Sequence, residues 1–255
     1  MNVASDISVV IPTYRRGDVL LQTIDYLLAM PDRPAEILIV DQTEQHQTGV
    51  GERLAALDSQ GTIRWIVLRP PSITRAMNCG LIQARQALVL FLDDDIRPDP
   101  GLIEAHVARH RDAADILVAG RVIQPWEEGM PIPDDGVFRF CGTRAAEINE
   151  FMGGNFSLRR DTALALGGFD ENFVRVAYRF EAEFAHRFRA AGKKIFFEPA
   201  ACLHHLKAAS GGTRTFGEHL TTCAPIMLSA PTITHCASVR AGEGYSNFWL
   251  VHYAR

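Results

Sequence analysis

The chain has 255 residues, of which 47% are hydrophobic, and its formal charge at pH 7 is −4. This composition allows one large α/β domain with a sizeable core, and the negative charge excludes a general attraction to nucleic acid. Five cysteines without a C-x-x-C pair argue against a disulfide framework and predict reduced thiols. No basic, apolar leader and no membrane-length apolar run is present, so we expect a soluble, cytoplasmic protein that can visit the inner membrane face peripherally.

The first hundred residues alternate short apolar runs with amphipathic periods. Strands are predicted where β-branched and apolar residues run together, at 7–12, 36–41, 62–68 and 87–92. Helices are predicted at 18–30 and 74–86, the second with Ser72 or Thr74 as its cap. This order predicts an α/β fold with an open, mostly parallel sheet, whose ligands bind beyond the carboxyl ends of the strands.

The second half of the chain is less regular. Its predicted elements are a helix at 99–110, a strand at 115–123, an irregular stretch at 124–150, a helix at 178–191, a strand at 193–199 and a mobile loop at 208–217. We divide the single domain into a nucleotide-binding half, an acceptor-binding half and a C-terminal tail packed on the domain, at 1–100, 101–217 and 218–255.

Three consecutive aspartates, Asp93 to Asp95, directly follow the apolar strand at 87–92. A solvated acidic loop is the plainest interpretation. A calcium loop of the EF-hand type fails because Arg97 and Pro98 stand where ligands should continue. An aspartyl phosphatase would carry its nucleophile on the first strand, which has no acid after Ile7. A divalent cation, Mn²⁺ or Mg²⁺, would neutralise the crowded carboxylates, so we predict a metal and nucleotide site.

Seven motifs along residues 6–215 resemble the family 2 glycosyltransferases in order and spacing. They are "VVIPTYRR", "LIVDQT", "TRAMNCG", "LFLDDDIRPDPG", "GGNFSLRR", "GGFDENF" and "EAEFAHRFRAAG". The resemblance implies a single-domain GT-A fold with a Rossmann-like sheet, a nucleotide-sugar donor, a divalent metal and inversion at the anomeric carbon.

The resemblance also implies roles for individual residues. Asp93 is similar to the family's ribose-binding acid and Asp95 to its metal ligand, whereas Asp94 is expected to meet a backbone amide or the donor sugar. The residues expected to line the donor pocket are Pro12, Thr13, Tyr14 and Asp41, with Arg75 and Asn78 facing the nucleotide and Asn155 reaching the donor sugar or acceptor. For Arg75 and Asn78 the alternative is an ordinary polar helix face, and for the glycines before Asn155 it is a bulge in a strand.

The catalytic base is expected at Glu181, where this chain departs from the family. The family's Glu-Asp pair aligns with Phe180-Glu181, so a glutamate stands where the family has its aspartate. The glutamate side chain is longer than aspartate by one methylene group. Phe180, Phe184 and Phe188 form a helical stripe typical of a core, and Glu183 with Arg187 is typical of a structural i, i+4 ion pair. A second departure is Asp41-Gln42-Thr43, where the family usually reads "VDDGS", so only the first acid carries over.

The remaining predictions concern the metal, a lid and the substrates. Family spacing favours His205 over His204 as a further metal ligand. The segment 205–217 is predicted to be a lid whose Lys207 and Arg214 bind the diphosphate. The predicted reaction is inverting transfer from a UDP-, GDP- or dTDP-linked sugar to a glycan or lipid-linked hydroxyl acceptor, in bacterial polysaccharide or glycoconjugate synthesis. The alternatives are a catalytically inactive sugar-binding module and a nucleotidyltransferase, although the latter should carry a glycine-rich loop after its first strand.

Overall fold

The computed structural model describes residues 5–113, 115–212 and 215. The strands are β1 Ser5–Thr13, β2 Pro34–Asp41, β3 Arg64–Val67, β4 Leu88–Leu92, β5 Ile96–Pro98, β6 Ile116–Ile123, β7 Ala146–Ile148, β8 Asn155–Arg159 and β9 Lys194–His205. The helices are α1 Asp18–Ala29, α2 Val50–Ser59, α3 Ile73–Gln83, α4 Leu102–Asp112, α5 Arg160–Ala165 and α6 Phe180–Ala190. The predicted tail at 218–255 and the predicted diphosphate ligand Arg214 lie outside the described residues.

The predicted elements of the first half are present, and Ser72 is the N-cap that begins α3. The sequence did not predict the short elements β5, β7 and α5, because they have too few residues to show a hydrophobic repeat. The strand predicted at 193–199 continues to His205, six residues further than its apolar run. Among the described helices, none has the length and apolar character needed to cross a membrane.

The described strands form one sheet in the order β3-β2-β1-β4-β8-β6-β9-β5, with β7 paired to β9. The pairs among β1 to β4 are parallel, as expected from strands joined by crossover helices. Strand β8 enters antiparallel between β4 and β6, whereas β6 and β9 run parallel. The predicted α/β architecture, a mostly parallel sheet flanked by helices, is confirmed.

Helices cover both faces of the sheet and bury an apolar cluster on each. One cluster contains a group of phenylalanines from the sheet and α6, including Phe91, Phe156 and Phe184, in ring contact through Phe169. The predicted stripe of Phe180, Phe184 and Phe188 belongs to this cluster. The other cluster packs α1, α2 and α4 against the opposite face. Burial on both faces explains why the central strands are uninterrupted apolar runs.

The connection after β4 places the aspartates of residues 93–95. Strand β4 ends at Leu92, and the chain turns into β5, which pairs antiparallel with the end of β9. Ile96 lies opposite His205 in this pairing. The carboxyl edge of the parallel sheet therefore meets the far end of β9, which brings the aspartates beside a histidine 110 positions later in the chain.

Gly80 provides a test of how closely α3 packs on β1. A Cβ at this position would overlap the Val10 side chain, whereas a Cβ at Gly51 of α2 would lie an ordinary 3.6 Å from the Cβ of His46. We expect Gly80→Ala to lower the free energy of unfolding by about 1–3 kcal/mol, the usual cost of overpacking a core. Gly51→Ala should leave it unchanged or raise it by up to about 1 kcal/mol through helix propensity. Urea denaturation measures both, and equal effects would contradict this packing.

Candidate active site

Asp93, Asp95 and His205 form a cluster suited to a divalent cation. One ligand atom from each lies within 4.8 Å of the others. Nε2 of His205 lies 3.1 Å from Oδ1 of Asp95 and 3.9 Å from Oδ2 of Asp93. Asp95 is fully buried, whereas Asp93 is half exposed, so the cluster opens to solvent on one side. Two carboxylates and an imidazole with an open side fit a cation that also binds a ligand.

The His205 ring is oriented from behind by Gln124. Nδ1 of His205 lies 3.0 Å from Oε1 of Gln124, an oxygen that can only accept, so Nδ1 carries the hydrogen. This leaves Nε2 as the atom that faces both carboxylates, which is the arrangement by which outer partners orient metal-ligating histidines. His204 points elsewhere, since its ring nitrogens contact Glu128 and Asp99. The geometry therefore favours His205 over His204 in the cluster.

Arg16 is the positive partner of the buried aspartates. Its Nε lies 3.0 Å from Asp94 and its Nη1 3.4 Å from Asp95, and all three side chains are less than a tenth exposed. Thr13 donates a hydrogen bond of 2.7 Å to the other oxygen of Asp94. Asp94 therefore faces the loop after β1, and the expectation that it meets a backbone amide or the donor sugar is not met.

The two buried carboxylates differ in proton affinity. Burial raises the pKa of Asp94 to about 7, with Arg16 opposing the shift and the charge of Asp95 adding to it. Burial acts on Asp95 in the same direction, but hydrogen bonding to His205, the charges of His205 and Arg16 and the N–H of Ala208 outweigh it and lower its pKa. Asp95 thus keeps the charge that a cation requires, while Asp94 holds a proton more readily.

The segment 206–212 is fastened over the aspartates. Leu206 and Ala208 donate backbone hydrogen bonds to Asp95, to its carbonyl and its carboxylate respectively. Arg16 donates to the carbonyl of Ser210 at 2.8 Å, and Gly212 donates to the carbonyl of Tyr14. The described part of the predicted lid is therefore hydrogen-bonded through its main chain to Asp95 of the candidate cation cluster.

Lys207, the described basic residue of the predicted lid, contacts an aromatic ring. The ammonium of Lys207 lies 3.9 Å from the centre of the Trp126 ring. Gly211 and Gly212 adopt φ of +83° and +60°, and a Cβ on either would collide with Arg15 or Arg16. The lid movement and the diphosphate contacts of Lys207 and Arg214 stay predictions.

Two adjacent glycines make room for two carboxylates. A Cβ on Gly154 would overlap the carboxylate of Asp93, and a Cβ on Gly153 would lie 2.9 Å from Oε1 of Glu181. Asp93 also donates its backbone N–H to the carbonyl of Gly154. The glycine pair was expected to let the backbone approach a ligand, and the structure shows that it brings Glu181 and Asp93 together.

Glu181 is a carboxyl group with a raised pKa, close to Asp93. Burial raises its pKa to about 8, the charges of Asp93 and Glu150 add to the shift, and a hydrogen bond from Gly153 opposes it. Glu183, two residues later, instead accepts a hydrogen bond of 2.8 Å from Arg187. That arginine also donates to the carbonyls of residues 166 and 168, so the predicted structural ion pair is present.

A cleft of about 500 Å³ opens beyond the ends of β1 and β2. It is lined by Arg15, Gly17, Thr43, Glu44, Gln45, His46 and Gln47. Asp41 lies beneath it, and its carboxylate accepts hydrogen bonds from Thr43 N–H, the His46 ring and the Trp65 indole. The predicted pocket residues Pro12 and Tyr14 are also buried at this edge. The direct contact of Asp41 with a nucleotide stays a prediction.

Three other predicted site residues make contacts within the protein. Arg75 lies 3.8 Å from Glu171. The amide of Asn78 exchanges hydrogen bonds of 2.8 Å with the backbone of Phe169, which fastens the "GGFDENF" loop to α3. Asn155 is completely buried and its amide is fully engaged, so it does not reach a sugar in this structure. The donor contacts expected for these three residues stay predictions.

Arg16, Gln124 and His46 are the residues that sequence reasoning missed. Arg16 carried a usable signal, because three aspartates at one sheet edge require nearby positive charge and the "RR" of the loop after β1 lies at that edge. Nothing in the sequence pointed to Gln124 or His46, because each is a single polar residue in an irregular segment.

Arg16 and Arg15 form a matched pair for testing the charge balance. Arg16→Ala removes the guanidinium that Asp94 and Asp95 share, so we expect the metal-free protein to lose about 3–5 kcal/mol of unfolding free energy at pH 8, where Asp94 is mostly ionised. Arg15→Ala breaks only an exposed pair with Glu44 and should cost no more than about 1 kcal/mol. Urea denaturation at constant ionic strength compares them, and a small effect of Arg16→Ala would refute its role.

Comparison with known proteins identifies the family. The family model "Glycosyl transferase family 2" matches residues 8–167. The glucosyl-dolichyl phosphate glucuronosyltransferase of Haloferax volcanii is 24% identical over 220 residues, which cover 78% of this chain and 68% of that protein.

Solved structures show the same fold. GalNAc-T7, crystallised with UDP, GalNAc and Mn²⁺, has a TM-score of 0.65 and 16% identity, over 80% of this chain and 44% of that one. S. aureus TarS has a TM-score of 0.61 and 15% identity, over 78% of this chain and 36% of that one. The chain therefore spans less than half the length of these two structures, and their likeness confirms the predicted GT-A fold. The match over residues 8–167 shows that this protein is a glycosyltransferase that belongs to glycosyl transferase family 2.

Proposed function

We propose that this protein transfers a sugar, with inversion, from a nucleoside-diphosphate donor to a hydroxyl group of a lipid-linked acceptor, and that it requires a divalent cation. The observation that carries this proposal is the pair of carboxylates over Gly153 and Gly154. Asp93 belongs to the cation cluster, and Glu181 stands beside it without belonging to that cluster. A leaving-group site and a base are thus next to each other.

Glu181 supports the role of general base by its position and its proton affinity. It lies in the first turn of α6, and burial raises its pKa to about 8. It accepts the proton of the acceptor hydroxyl as that oxygen bonds to C1 of the sugar, while the bond from C1 to the diphosphate oxygen breaks. Attack from the side opposite the leaving group inverts the anomeric carbon.

The leaving group is held at Asp93, Asp95 and His205. Mn²⁺ or Mg²⁺ bound there would act as a Lewis acid and neutralise the departing nucleoside diphosphate. Asp95 is held in place for this role by His205, by Arg16 and by the N–H of Ala208. The donor's nucleoside fits the cleft beyond β1 and β2, because that cleft lies at the carboxyl edge of the same strands.

An exposed apolar segment supports a lipid-linked acceptor. Within residues 124–141, the side chains of Trp126, Met130, Ile132 and Val137 are 37–63% exposed. This segment begins at Gln124, the partner of His205, and therefore starts beside the cation cluster. Several exposed apolar side chains in one segment favour contact with an apolar partner, for which we propose the lipid of the acceptor. The glucuronosyltransferase of Haloferax volcanii, which is named for a dolichyl phosphate substrate, supports the same class of acceptor.

The test is turnover of nucleotide sugars by Glu181→Gln and Glu183→Gln. A donor is first found by screening UDP-, GDP- and dTDP-sugars with Mn²⁺ for release of nucleoside diphosphate in the presence of lipid-phosphate acceptors. Glu181→Gln should keep donor affinity while transfer falls by about 10²- to 10⁴-fold, because only the proton acceptor is lost. Glu183→Gln breaks the pair with Arg187 and should lower stability, with transfer per folded molecule nearly unchanged.

The pH dependence gives a second readout in the same assay. A base works when deprotonated, and burial raises the pKa of Glu181, so wild-type kcat/KM should rise with pH as this carboxyl group loses its proton, at a pH below about 8 because the bound cation would offset the charge of Asp93. This rise should be absent in Glu181→Gln. Transfer lost equally in both variants would reject Glu181 as the base. Donor binding without turnover would favour an inactive binding module, and release of diphosphate with nucleotide transfer would favour a nucleotidyltransferase.

A further inference from the structure

Strand β9 contains a bulge between its two halves. Residues 116–120 of β6 pair in register with 194–198 of β9, but Arg121 pairs with Cys202. Three residues of β9, 199–201, are therefore additional in this pairing. Bulges of this kind re-aim the strand that carries them and are common beside active sites.

The bulge exchanges the two faces of β9. Before it, Ile195 lies in the apolar cluster with the phenylalanines, whereas after it Leu203 lies in the cluster on the opposite face. Successive odd-numbered residues of a regular strand would stay on one face, and an odd number of extra residues reverses them. Without the bulge, His205 would also lie about 10 Å further along β6, at about 3.3 Å per residue. The bulge is therefore what places His205 beside Asp95.

Asn155 occupies the gap that the bulge opens. Its Nδ2 donates to the carbonyl of Arg121 at 3.0 Å and to the carbonyl of Ala201 at 2.9 Å, which are carbonyls from the two separated strands. A Cβ on Gly120 would overlap this amide, so a glycine at that position leaves the space that Asn155 fills. One side chain thus replaces the ladder bond that β6 and β9 lack here.

A buried histidine network fixes the orientation of Asn155. His106 Nε2 lies 2.9 Å from Oδ1 of Asn155, and His106 Nδ1 lies 2.8 Å from the hydroxyl of Ser157. His110 Nε2 lies 2.9 Å from the same hydroxyl. Burial lowers the pKa of His106 to about 4 and that of His110 to about 3, so both rings are neutral near pH 7. Oδ1 accepts from the N–H of His106, which leaves both hydrogens of Nδ2 for the two carbonyls.

We propose that Asn155 is a positioning residue for metal binding: it holds the β9 bulge and thereby sets His205 against Asp93 and Asp95. This role rests on the proposed cation cluster and extends it to a side chain that touches neither cation nor substrate. It differs from the sugar or acceptor contact expected for Asn155 from the sequence. It also explains why an amide is buried completely at the centre of the sheet.

The experiment compares Asn155→Ala with Ser157→Ala in the full chain. Both remove a member of the same buried network, but only Asn155 touches the bulge. Mn²⁺ affinity, measured from the free-ion signal in electron paramagnetic resonance, should weaken about 10- to 100-fold in Asn155→Ala, because displacing His205 should cost at least as much as removing an outer partner of a metal ligand. In Ser157→Ala the Mn²⁺ affinity should stay within about 3-fold of the wild-type value. Thermal unfolding should show a loss of stability in both variants. Asn155→Ser, whose hydroxyl is too short to bridge both carbonyls, replaces the alanine variant if that does not fold.

A second readout needs no metal. In ¹⁵N-histidine-labelled, metal-free protein, the resonance of the His205 Nδ1–H bonded to Gln124 should be present in wild type and Ser157→Ala and lost in the Asn155 variants. Folded Asn155 variants that keep both the wild-type Mn²⁺ affinity and this resonance would overturn the proposal, as would equal loss of both in Ser157→Ala. If the resonance follows the expected pattern but wild type binds no Mn²⁺, the positioning role stands and the cation assignment fails.

Discussion

The ion pairs of Arg16 with Asp94 and Asp95 are the constraint on which the site depends. Two carboxylates adjacent in sequence and almost fully buried would repel each other strongly, and their position at the end of a central strand offers little water to screen them. Arg16 contacts both carboxylates and also donates a hydrogen bond to the segment 206–212. The same side chain therefore balances the charge of the aspartates and holds this segment over them. Their different partners separate the roles of the pair: burial raises the pKa of Asp94, whereas hydrogen bonding to His205 and the nearby positive charges lower the pKa of Asp95.

Around this interaction, main-chain irregularities position the reacting groups. The turn from β4 to β5 carries the aspartates to the end of β9, and the bulge in β9 presents His205 to them. The absence of side chains at Gly153 and Gly154 leaves space for two carboxylates: Glu181 packs against Gly153, and Asp93 packs against Gly154. Each feature alone is a small departure from a regular sheet, and together they place a proposed base next to a proposed cation site. The regular strands supply the rigidity that keeps these departures in place.

The sequence predicted the parts of this arrangement that local patterns encode. The buried strands follow from uninterrupted apolar runs, and the aspartates were expected at the ligand edge because they follow one of those runs. The spacing of the motifs led to His205 and Glu181. Arg16 could not be chosen over Arg15 from sequence, because one of them folds inward and the other pairs with Glu44 at the surface. The bulge in β9 and the burial of Asn155 follow from strand pairing between distant segments, which no local pattern records.

The central claim is that Asp93, Asp95 and His205 bind one divalent cation while Arg16 remains paired with Asp94. The most direct measurement is a crystal structure of the protein grown with Mn²⁺ and a nucleoside diphosphate, with anomalous data collected at the manganese edge. This account predicts a single strong anomalous peak between those three side chains, with the diphosphate on its open side and Arg16 still against Asp94. A peak bound by other residues, or none among these three at saturating Mn²⁺, would contradict it.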